Sequence, residues 1–388
     1  MRWLFWICSF LVIYPYTIYP AVLRYLAARE QRRRGSDTPI EAPSVTLVIS
    51  AYNEEAVIAA KLNNALQLQY PGDRLEIIVV SDASSDRTDA IVDEFASRDH
   101  RIRLVRQNER RGKSAGLNHA VEAARGDIVV FSDANALYEP NAIAELTRAF
   151  SDPHVGYVVG AALYADTDTS RAAENEGLYW KLELALKKWE SDYFSVVGGD
   201  GAIYAVRRQL FRPLKDDDIS DFVNPLQVVA QGFRGRFNPR AVCYEGAGET
   251  FAKEFGRKRR IVNRTWRAVC RYSGLLSVSR HGRYIFMLTS HKVIRWFALP
   301  LVILAWLTNC ALLGYGSIYI ATWLVITASA ALAAFGAVLD RTGREPPRIV
   351  STLYYFYLVN LAAMLGIWDE WRGVRHATWN HIRTKDAQ

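Results

Sequence analysis

Three short polar clusters, each directly after an apolar run, hold the residues of this sequence that are best suited to chemistry. They occupy residues 50–54 (SAYNE), 81–86 (SDASSD) and 132–135 (SDAN). None of them contains the Gly-x-Gly-x-x-Gly pattern of dinucleotide-binding proteins or the lysine-containing loop of P-loop ATPases. Carboxylates in place of glycine loops indicate hydrogen bonding to a ribose or a base, with a divalent cation binding a diphosphate.

The apolar runs before these clusters have the composition of buried strands. Strands are predicted at residues 45–50, 75–81, 102–105 and 128–132, and helices at residues 54–67, 88–97 and 114–124. This alternation predicts a doubly wound, mostly parallel sheet. Because ligands of such sheets bind at the carboxyl ends of the strands, the three clusters are expected to meet at one edge.

Long stretches without a charged residue indicate membrane segments on both sides of this α/β region. They cover residues 3–23, 297–339 and 349–368. A cleaved signal peptide is the alternative for the first stretch. The second is about twice the length of one span, so it is predicted to fold back at residues 314–317. The third is either a span or a re-entrant or interfacial helix, and we expect the tail to be cytoplasmic.

The charge distribution favours a lipid bilayer over nucleic acid as the partner. The 48 Lys and Arg exceed the 40 Asp and Glu, and many of the basic residues flank the apolar stretches. Arginines at 24, 29, 32, 33 and 34 follow the first stretch, which places the chain from residue 35 onward in the cytoplasm. The four cysteines show no spacing typical of a metal site or a redox loop.

These observations predict five regions along the chain. They are an N-terminal transmembrane anchor with a basic flank (1–34), a cytoplasmic α/β domain (43–255), amphipathic interfacial helices (256–295), a transmembrane hairpin (296–339), and a third membrane segment with a basic tail (349–388).

Five motifs in this order resemble the membrane-bound family 2 glycosyltransferases. They lie at residues 50–54, 82–86, 112–118 (GKSAGLN), 132–135 and 219–222 (ISDF). That family comprises inverting enzymes of GT-A fold and includes hyaluronan, chitin-oligosaccharide, poly-N-acetylglucosamine and cellulose synthases. The resemblance extends to residues 290–296, and it implies a UDP-sugar donor, Mg²⁺ or Mn²⁺ as cofactor, and a glycan or lipid-linked acceptor.

The resemblance also implies roles for the residues that bind the nucleotide. Asp82 is expected to hold the uridine, Tyr52, Asn53 and Glu54 to line the base and ribose pocket, and Lys113 to lie near the nucleotide. Asp86, in contrast, is expected to cap the helix that follows it.

Asp133 resembles the first carboxylate of the family's D-x-D metal motif, and Asn135 replaces the second. An asparagine carbonyl still ligates a hard cation, although with less charge. Asp221 matches the general base of the family's T-E-D motif, with Ile219 and Ser220 in the two preceding positions. Residues 216–218, an aspartate triplet, are expected to form a solvated loop.

Two further segments resemble acceptor and diphosphate sites. Gly199, Asp200 and Gly201 resemble the floor on which the acceptor lies, although paired glycines also suit a plain tight turn. Arg257 and Arg260 stand where processive members carry Q-x-x-R-W, and Ile261 replaces the tryptophan. These arginines suit a diphosphate, and they also suit anionic lipid headgroups on an amphipathic helix over residues 257–272.

The sequence therefore predicts an inverting UDP-sugar transferase, anchored in the inner membrane as a multi-pass protein, with its catalytic domain in the cytoplasm. Two alternatives stay open. One is a processive synthase that also extrudes its product, and the other is a catalytically silent nucleotide-binding scaffold of an export complex. Partners for export or polymerisation are left open as well.

Overall fold

In the computed structural model, which describes residues 1–31, 41–164, 171–246 and 250–374, an eight-stranded sheet forms the centre of the chain. Its strands are β1 (Val45–Ala51), β2 (Leu75–Ser81), β3 (Ile102–Arg106), β4 (Ile128–Asp133), β5 (Leu137–Tyr138), β6 (Val155–Tyr164), β7 (Tyr204–Arg207) and β8 (Arg234–Glu245). The predictions for the basic residues at 32–34 and for the tail from residue 375 lie outside the described residues.

The strand order is β3-β2-β1-β4-β7-β6-β8-β5. β1 pairs in parallel with β2 and β4, β2 with β3, and β6 with β8, whereas β7 and β5 are antiparallel to their neighbours. The predicted GT-A arrangement, a mostly parallel doubly wound sheet, is therefore confirmed. The four strands that the sequence predicts are present at the predicted positions.

Helices cover both faces of the sheet, and others precede or follow it in the chain. They are α1 (Arg2–Ile13), α2 (Ile18–Gln31), α3 (Ile58–Leu66), α4 (Thr88–Arg98), α5 (Lys113–Ala123), α6 (Ala142–Arg148), α7 (Arg171–Tyr193), α8 (Ser220–Ala230), α9 (Phe251–Tyr272), α10 (Val278–Leu288), α11 (Ile294–Trp296), α12 (Ala298–Cys310), α13 (Ser317–Arg341) and α14 (Arg348–Trp371). A π-helical turn, Thr289–Val293, joins α10 to α11.

Successive residues of the central strands point to opposite faces, and both faces are buried. Leu47 and Ile49 pack with α3, α4 and α6 in one cluster, while Val48 and Phe131 pack with α5, α8 and α10 in the other. Burial on both faces explains why these strands have nearly continuous apolar sequences, without an alternating pattern.

Within the described residues, two helices are long and apolar enough to cross a bilayer, namely α13 and α14. The number rises to four if each of two bent helix pairs counts as one span. α1 and α2 form one such pair, bent by 54°, and the helices from Val278 to Trp296 form the other with α12, bent by 63°. The first apolar stretch is thus broken near its prolines, Pro15 and Pro20.

α9 and α14 lie side by side and run in the same direction. Near the start of both helices, Tyr355 OH donates to Glu254 Oε1 at 3.2 Å, and near their ends Arg267 pairs with Glu370. Between these contacts the helices touch closely, since a Cβ on Gly366 would lie only 2.6 Å from the carbonyl oxygen of Arg259.

Candidate active site

The three polar clusters meet at the carboxyl edge of the sheet, as predicted. Ser50 of β1 is in register with Asp133 of β4, and Ala51 is in register with Ser81 of β2. The parallel pairing therefore brings residues separated by up to about eighty positions in the chain to one edge.

Asp82 organises the loop that leads into α5. Its Oδ1 accepts hydrogen bonds from Gln107 Nε2 at 2.7 Å, from Arg111 N at 2.9 Å and from Gly112 N at 3.0 Å. Gly112 has a φ of 89°, which favours glycine, and it lets the chain turn sharply into the helix. Lys113 is thereby placed at the first turn of α5 beside the sheet edge.

A cleft lies next to this loop and contains most of the residues predicted to bind the nucleotide. It is lined by Ser50, Ala51, Tyr52, Glu54, Val80, Asp82, Gln107, Gly112, Lys113 and Gly116. The guanidinium of Arg110 lies 3.9 Å from the centre of the Tyr52 ring, which makes a flat surface at the cleft.

Asn53 and Asp86 connect loops and helices beside the cleft. The Oδ1 of Asn53 accepts the backbone N–H of Ser85 at 2.8 Å, and its role in the base and ribose pocket stays a prediction. Asp86 accepts the N–H of Thr88 at 2.9 Å at the start of α4, which is the capping contact predicted for it.

Lys113, Asp133 and Asp221 converge on one point above Gly201. A methyl group on Gly201 would lie 3.5 Å from Lys113 Nζ, 3.6 Å from Asp133 Oδ2 and 3.8 Å from Asp221 Oδ2. Lys113 Nζ also forms an ion pair with Asp133 Oδ1. Three residues that the sequence assigns to the nucleotide, the metal and the base are therefore within reach of one small ligand group.

Asp221 stands in the first turn of α8 in a crowded acidic environment. Burial, together with the charges of Asp200 and Asp133, raises the pKa of the Asp221 carboxyl, while Lys113 and Arg264 oppose that rise. A carboxylate with a raised pKa is a stronger base, which suits removal of a proton from a hydroxyl group.

The predicted acceptor floor lies directly against this aspartate. The N–H of Gly199 donates to the backbone carbonyl of Asp221, and a Cβ on Gly199 would lie 2.7 Å from that oxygen. Glycine is required here by a close approach of two backbones. Asp200 in the same floor pairs with Lys187 of α7 at 3.1 Å.

A buried network of side chains supports the floor from below. Glu190 of α7 accepts the N–H of Val197 at 2.9 Å and the hydroxyl of Tyr19 at 2.9 Å, and it contacts His291 Nδ1 at 2.6 Å. His291 belongs to the π-helical turn before the membrane hairpin. The motif at residues 290–296 thus connects the predicted acceptor floor to the apolar helices that follow it.

The basic helix α9 passes the site, and its Arg264 interacts electrostatically with Asp221. Burial, with the charge of Arg260, lowers the pKa of Arg264 to about 10, and Asp221 counteracts this lowering. Burial and the charge of Arg257 also lower the pKa of Arg260. Arg257 itself pairs with Glu254 at 2.8 Å. The sequence analysis missed Arg264, although it lies four residues after Arg260 and therefore on the same helix face.

The loop before Asp221 is buried, which corrects the prediction of a solvated aspartate triplet. Asp217 and Asp218 are buried, and Arg271 bonds both of them at 2.6–2.8 Å. Tyr272 OH donates to Asp218 at 2.6 Å. Only Asp216 of the three is exposed. The end of α9 neutralises Asp217 and Asp218 and therefore fixes the loop that precedes Asp221.

Residues behind the turn at 134–138 hold it in place, and sequence reasoning missed them. Lys61 is fully buried and donates to the carbonyl of Ala136, and burial lowers its pKa to about 7. Asn64, one turn later on α3, bonds the N–H and the carbonyl of Tyr138 at 2.8 Å each. Their signal in the sequence is weak, because both residues look like ordinary surface positions of an amphipathic helix.

The residues around Asp133 fit a divalent cation that would be held by the protein and by the substrate together. Burial and the charges of Asp133 and Asp200 raise the pKa of Glu245 to about 8. Among the described residues, no group of three or more His, Cys, Asp or Glu side chains could hold a metal by itself. One or two carboxylates plus diphosphate oxygens is the set that Mg²⁺ prefers. Asp133 is placed to supply the first, and Asn135 lies in the turn that follows it.

Comparison with known proteins agrees with this geometry. Residues 46–215 match the family model described as glycosyl transferase family 2. The probable glycosyltransferase YdaM of Bacillus subtilis is 33% identical over 222 residues, which cover 54% of this chain and 52% of that protein. The poly-β-1,6-N-acetyl-D-glucosamine synthase of Staphylococcus aureus is 24% identical over 311 residues, covering 76% of this chain and 74% of the synthase.

A solved structure resembles nearly the whole chain. The mannosyltransferase PcManGT of Pyrobaculum calidifontis, solved with GDP-Man and Mn²⁺, superimposes with a TM-score of 0.68 at 25% identity and covers 95% of this chain and 99% of its own. Some curated relatives are longer proteins, of which this chain spans about half or less.

Proposed function

We propose that this chain, whose residues 46–215 match the model of glycosyl transferase family 2, transfers a sugar from a UDP-sugar to a glycan or lipid-linked acceptor at the cytoplasmic face of the membrane. The observation that carries this proposal is the meeting of Lys113, Asp133 and Asp221 around Gly201, beside the cleft that contains Asp82. In this proposal the cleft holds the nucleoside, and the diphosphate and the reacting sugar lie at the point where the three side chains converge.

In this proposal Asp221 accepts the proton of the acceptor hydroxyl as its oxygen attacks the anomeric carbon. The bond between that carbon and the diphosphate breaks on the opposite side, so the configuration inverts and UDP leaves. Lys113, Arg260 and Arg264 carry positive charge toward the leaving diphosphate. When bound at Asp133, Mg²⁺ or Mn²⁺ would add further neutralisation of that charge.

The acceptor is proposed to be held at the membrane, because the floor at residues 199–201 is braced by Glu190 and His291 next to the membrane helices. A polymer as product is the second candidate. The relative that covers three quarters of this chain is a poly-N-acetylglucosamine synthase, whereas Ile261 replaces the tryptophan expected in processive members.

The experiment is to incubate membranes containing the full chain with labelled UDP-sugars and GDP-mannose in the presence of Mn²⁺. We expect release of UDP together with a labelled product that extracts with lipid or carries one or a few sugars. A ladder of long products on a gel would favour the polymer synthase instead. Binding of nucleotides with neither transfer nor hydrolysis of any donor would favour the scaffold and overturn the proposal.

Because α14 packs along α9, the position of α9 indicates on which side of the membrane the C-terminal tail lies. The end of α9 is bonded to the catalytic domain through Arg271, Asp217 and Asp218, and its start follows β8 by a few residues. α9 contains nine charged side chains, and each would cost about 3 kcal/mol at the centre of a bilayer. Because α14 runs alongside α9, we propose that α14 is also interfacial or re-entrant and that the tail is cytoplasmic.

A reporter fused after Gln388 of the full chain tests this arrangement in a bacterial host. We expect green fluorescent protein at this position to fluoresce and alkaline phosphatase to be inactive, because the latter requires export. The matched control is a fusion that ends in the turn near Gly314, where the hairpin places the reporter outside and the two signals reverse. Active phosphatase after Gln388 would show that α14 spans the bilayer.

A further inference from the structure

A cluster of charged side chains is buried where α7 meets the π-helical turn that leads to α11. Its members are Glu183 and Glu190 of α7, His291 and Lys292 of the turn, and Arg295 of α11. Glu190 and His291 are both 0% exposed. Because burying a charged group is costly unless the group is paired, the partner of each member indicates what the cluster does.

Glu183 is paired with the lysine and the arginine of the cluster. Its Oε2 lies 2.9 Å from Lys292 Nζ, and its Oε1 lies 2.5 Å from Arg295 Nη1. Burial works against ionisation, but the charges of Lys292, His291 and Arg295 hold the pKa of the Glu183 carboxyl well below its usual range. Glu183 is therefore a carboxylate, which only accepts hydrogen bonds.

Both ring nitrogens of His291 lie against carboxylates. Nε2 is 3.1 Å from Glu183 Oε2, and this contact is favourable only if Nε2 donates. Nδ1 is 2.6 Å from Glu190 Oε1. Glu190 already accepts with both oxygens, from the Tyr19 hydroxyl and from the N–H of Val197, so Nδ1 is the donor here too. An imidazole that donates at both nitrogens is the imidazolium cation.

His291 is the counter-ion of Glu190. Among the ion pairs of the described residues, it is the only cation that contacts this carboxylate, since Lys292 and Arg295 contact Glu183 instead. Removing one partner of a buried pair leaves the other charge uncompensated, which is far more damaging than replacing both partners by neutral groups. The charge of Glu190 is thus balanced by His291.

Glu190 in turn holds a turn of the backbone that belongs to the candidate active site. It accepts the N–H of Val197 at 2.9 Å. The next residue, Gly198, has a φ of 79°, and the N–H of Gly199 then donates to the backbone carbonyl of Asp221. A shift of this turn would therefore move the predicted acceptor floor and the backbone of Asp221. The nucleotide cleft is lined by other parts of the chain.

We propose that His291 is a positioning residue for sugar transfer. As an imidazolium it balances the buried carboxylate of Glu190, and Glu190 fixes the turn on which the acceptor floor and Asp221 depend. This inference rests on the proposed function, because it takes the floor and Asp221 to act in sugar transfer. The conformation around His291 agrees with such a role, since π-helical turns are rare and are frequently found at functional sites.

The test compares His291→Gln with the double variant that also carries Glu190→Gln, each in the purified full chain. The single variant leaves a buried carboxylate without its counter-ion. The double variant replaces the ion pair by two neutral amides, and an amide oxygen at position 190 can still accept the N–H of Val197. We expect hydrogen exchange of residues 194–203, measured by mass spectrometry, to be at least tenfold faster in the single variant. In the double variant it should return to within about threefold of the unaltered protein.

Sugar transfer should follow the same order. With membranes, labelled UDP-sugars and GDP-mannose, we expect transfer to fall at least tenfold in His291→Gln and to return to within about threefold in the double variant. Affinities for UDP and GDP, titrated in Mn²⁺, should change by less than about twofold in both. His154→Gln is the matched control, because His154 is exposed at the start of β6, at the sheet edge opposite Asp133, and it should change none of these quantities.

Three results would overturn the proposal. The first is unchanged exchange and transfer in His291→Gln. The second is a double variant no better than the single one, whether the single variant is inactive or fails to fold, because the second substitution removes the unbalanced charge and restores no packing. The third is a nucleotide affinity that falls as much as transfer does, since this would indicate a general loss of structure.

Hydrogen exchange keeps the outcome separable from that of the proposed function. Fast exchange in His291→Gln that the second substitution reverses, without sugar transfer by the unaltered protein, would overturn the enzyme activity and leave the link between His291 and the turn standing. Transfer by the unaltered protein, with neither exchange nor transfer altered in His291→Gln, would do the opposite.

Discussion

Asparagine in place of Asp221 is expected to lower the turnover number for sugar transfer by about 10²–10⁴-fold while nucleotide affinity changes by less than about twofold. The substitution keeps the shape of the side chain and removes its ability to accept a proton. Measuring UDP release under saturating donor and acceptor, and nucleotide affinity by titration, separates the two effects.

The expected separation follows from the positions of the groups. Asp221 Oδ2 points to the region above Gly201, whereas the nucleotide cleft is lined by residues from β1, β2 and α5 and by the loop that Asp82 binds. The substitution therefore removes the proposed general base and leaves the contacts to the nucleotide in place.

Asp216→Asn is the matched control, since it makes the same change five residues earlier on an exposed side chain. Its turnover number should equal that of the unaltered protein. A fall of less than tenfold in Asp221→Asn would contradict the assignment of the base. A parallel loss of nucleotide affinity would instead show that Asp221 contributes to donor binding.

The sheet, and the edge that carries the candidate site, could be predicted because their signals in the sequence are local. Strands that are buried on both faces require continuous apolar runs, and polar residues at their ends are unusual enough to be noticed. The parallel order then brings Ser50 and Asp133 together without any knowledge of side-chain packing. The acceptor floor was predicted only from the family resemblance, because the need for glycine at position 199 comes from the backbone of Asp221 across the site.

Sequence reasoning could not predict contacts between side chains and partners that lie far away in the chain. Asn53 has the chemistry of a ligand-binding residue, and the structure adds a partner that the sequence does not indicate, the backbone N–H of Ser85. Asp217 and Asp218 resemble a solvated acidic run until Arg271 is placed beside them by a helix about fifty residues later. Composition carries no information about such partners, so only the tertiary structure reveals them.

Alanine in place of Gly201 is expected to lower the turnover number by about 10²-fold without loss of stability. A methyl group there would stand 3.5–3.8 Å from Lys113, Asp133 and Asp221, which are ordinary contact distances, so the fold has no reason to change. The methyl would occupy the space in which the reacting group must lie. Displacement of a reactant by about 1 Å costs on the order of 10²-fold in rate. Thermal unfolding and steady-state kinetics of the variant measure the two quantities.

Two other glycines show whether the loss comes from the site or from the backbone. Gly256→Ala adds a methyl group to α9 where nothing lies within 4 Å, so activity should be unchanged and stability slightly higher. Gly199→Ala would force the backbone of Asp221 to move, because the new Cβ would lie 2.7 Å from its carbonyl oxygen, so both activity and stability should fall. Full activity in Gly201→Ala would mean that the sugar and the diphosphate do not pass between the three functional groups. The catalytic centre would then have to lie elsewhere along the cleft.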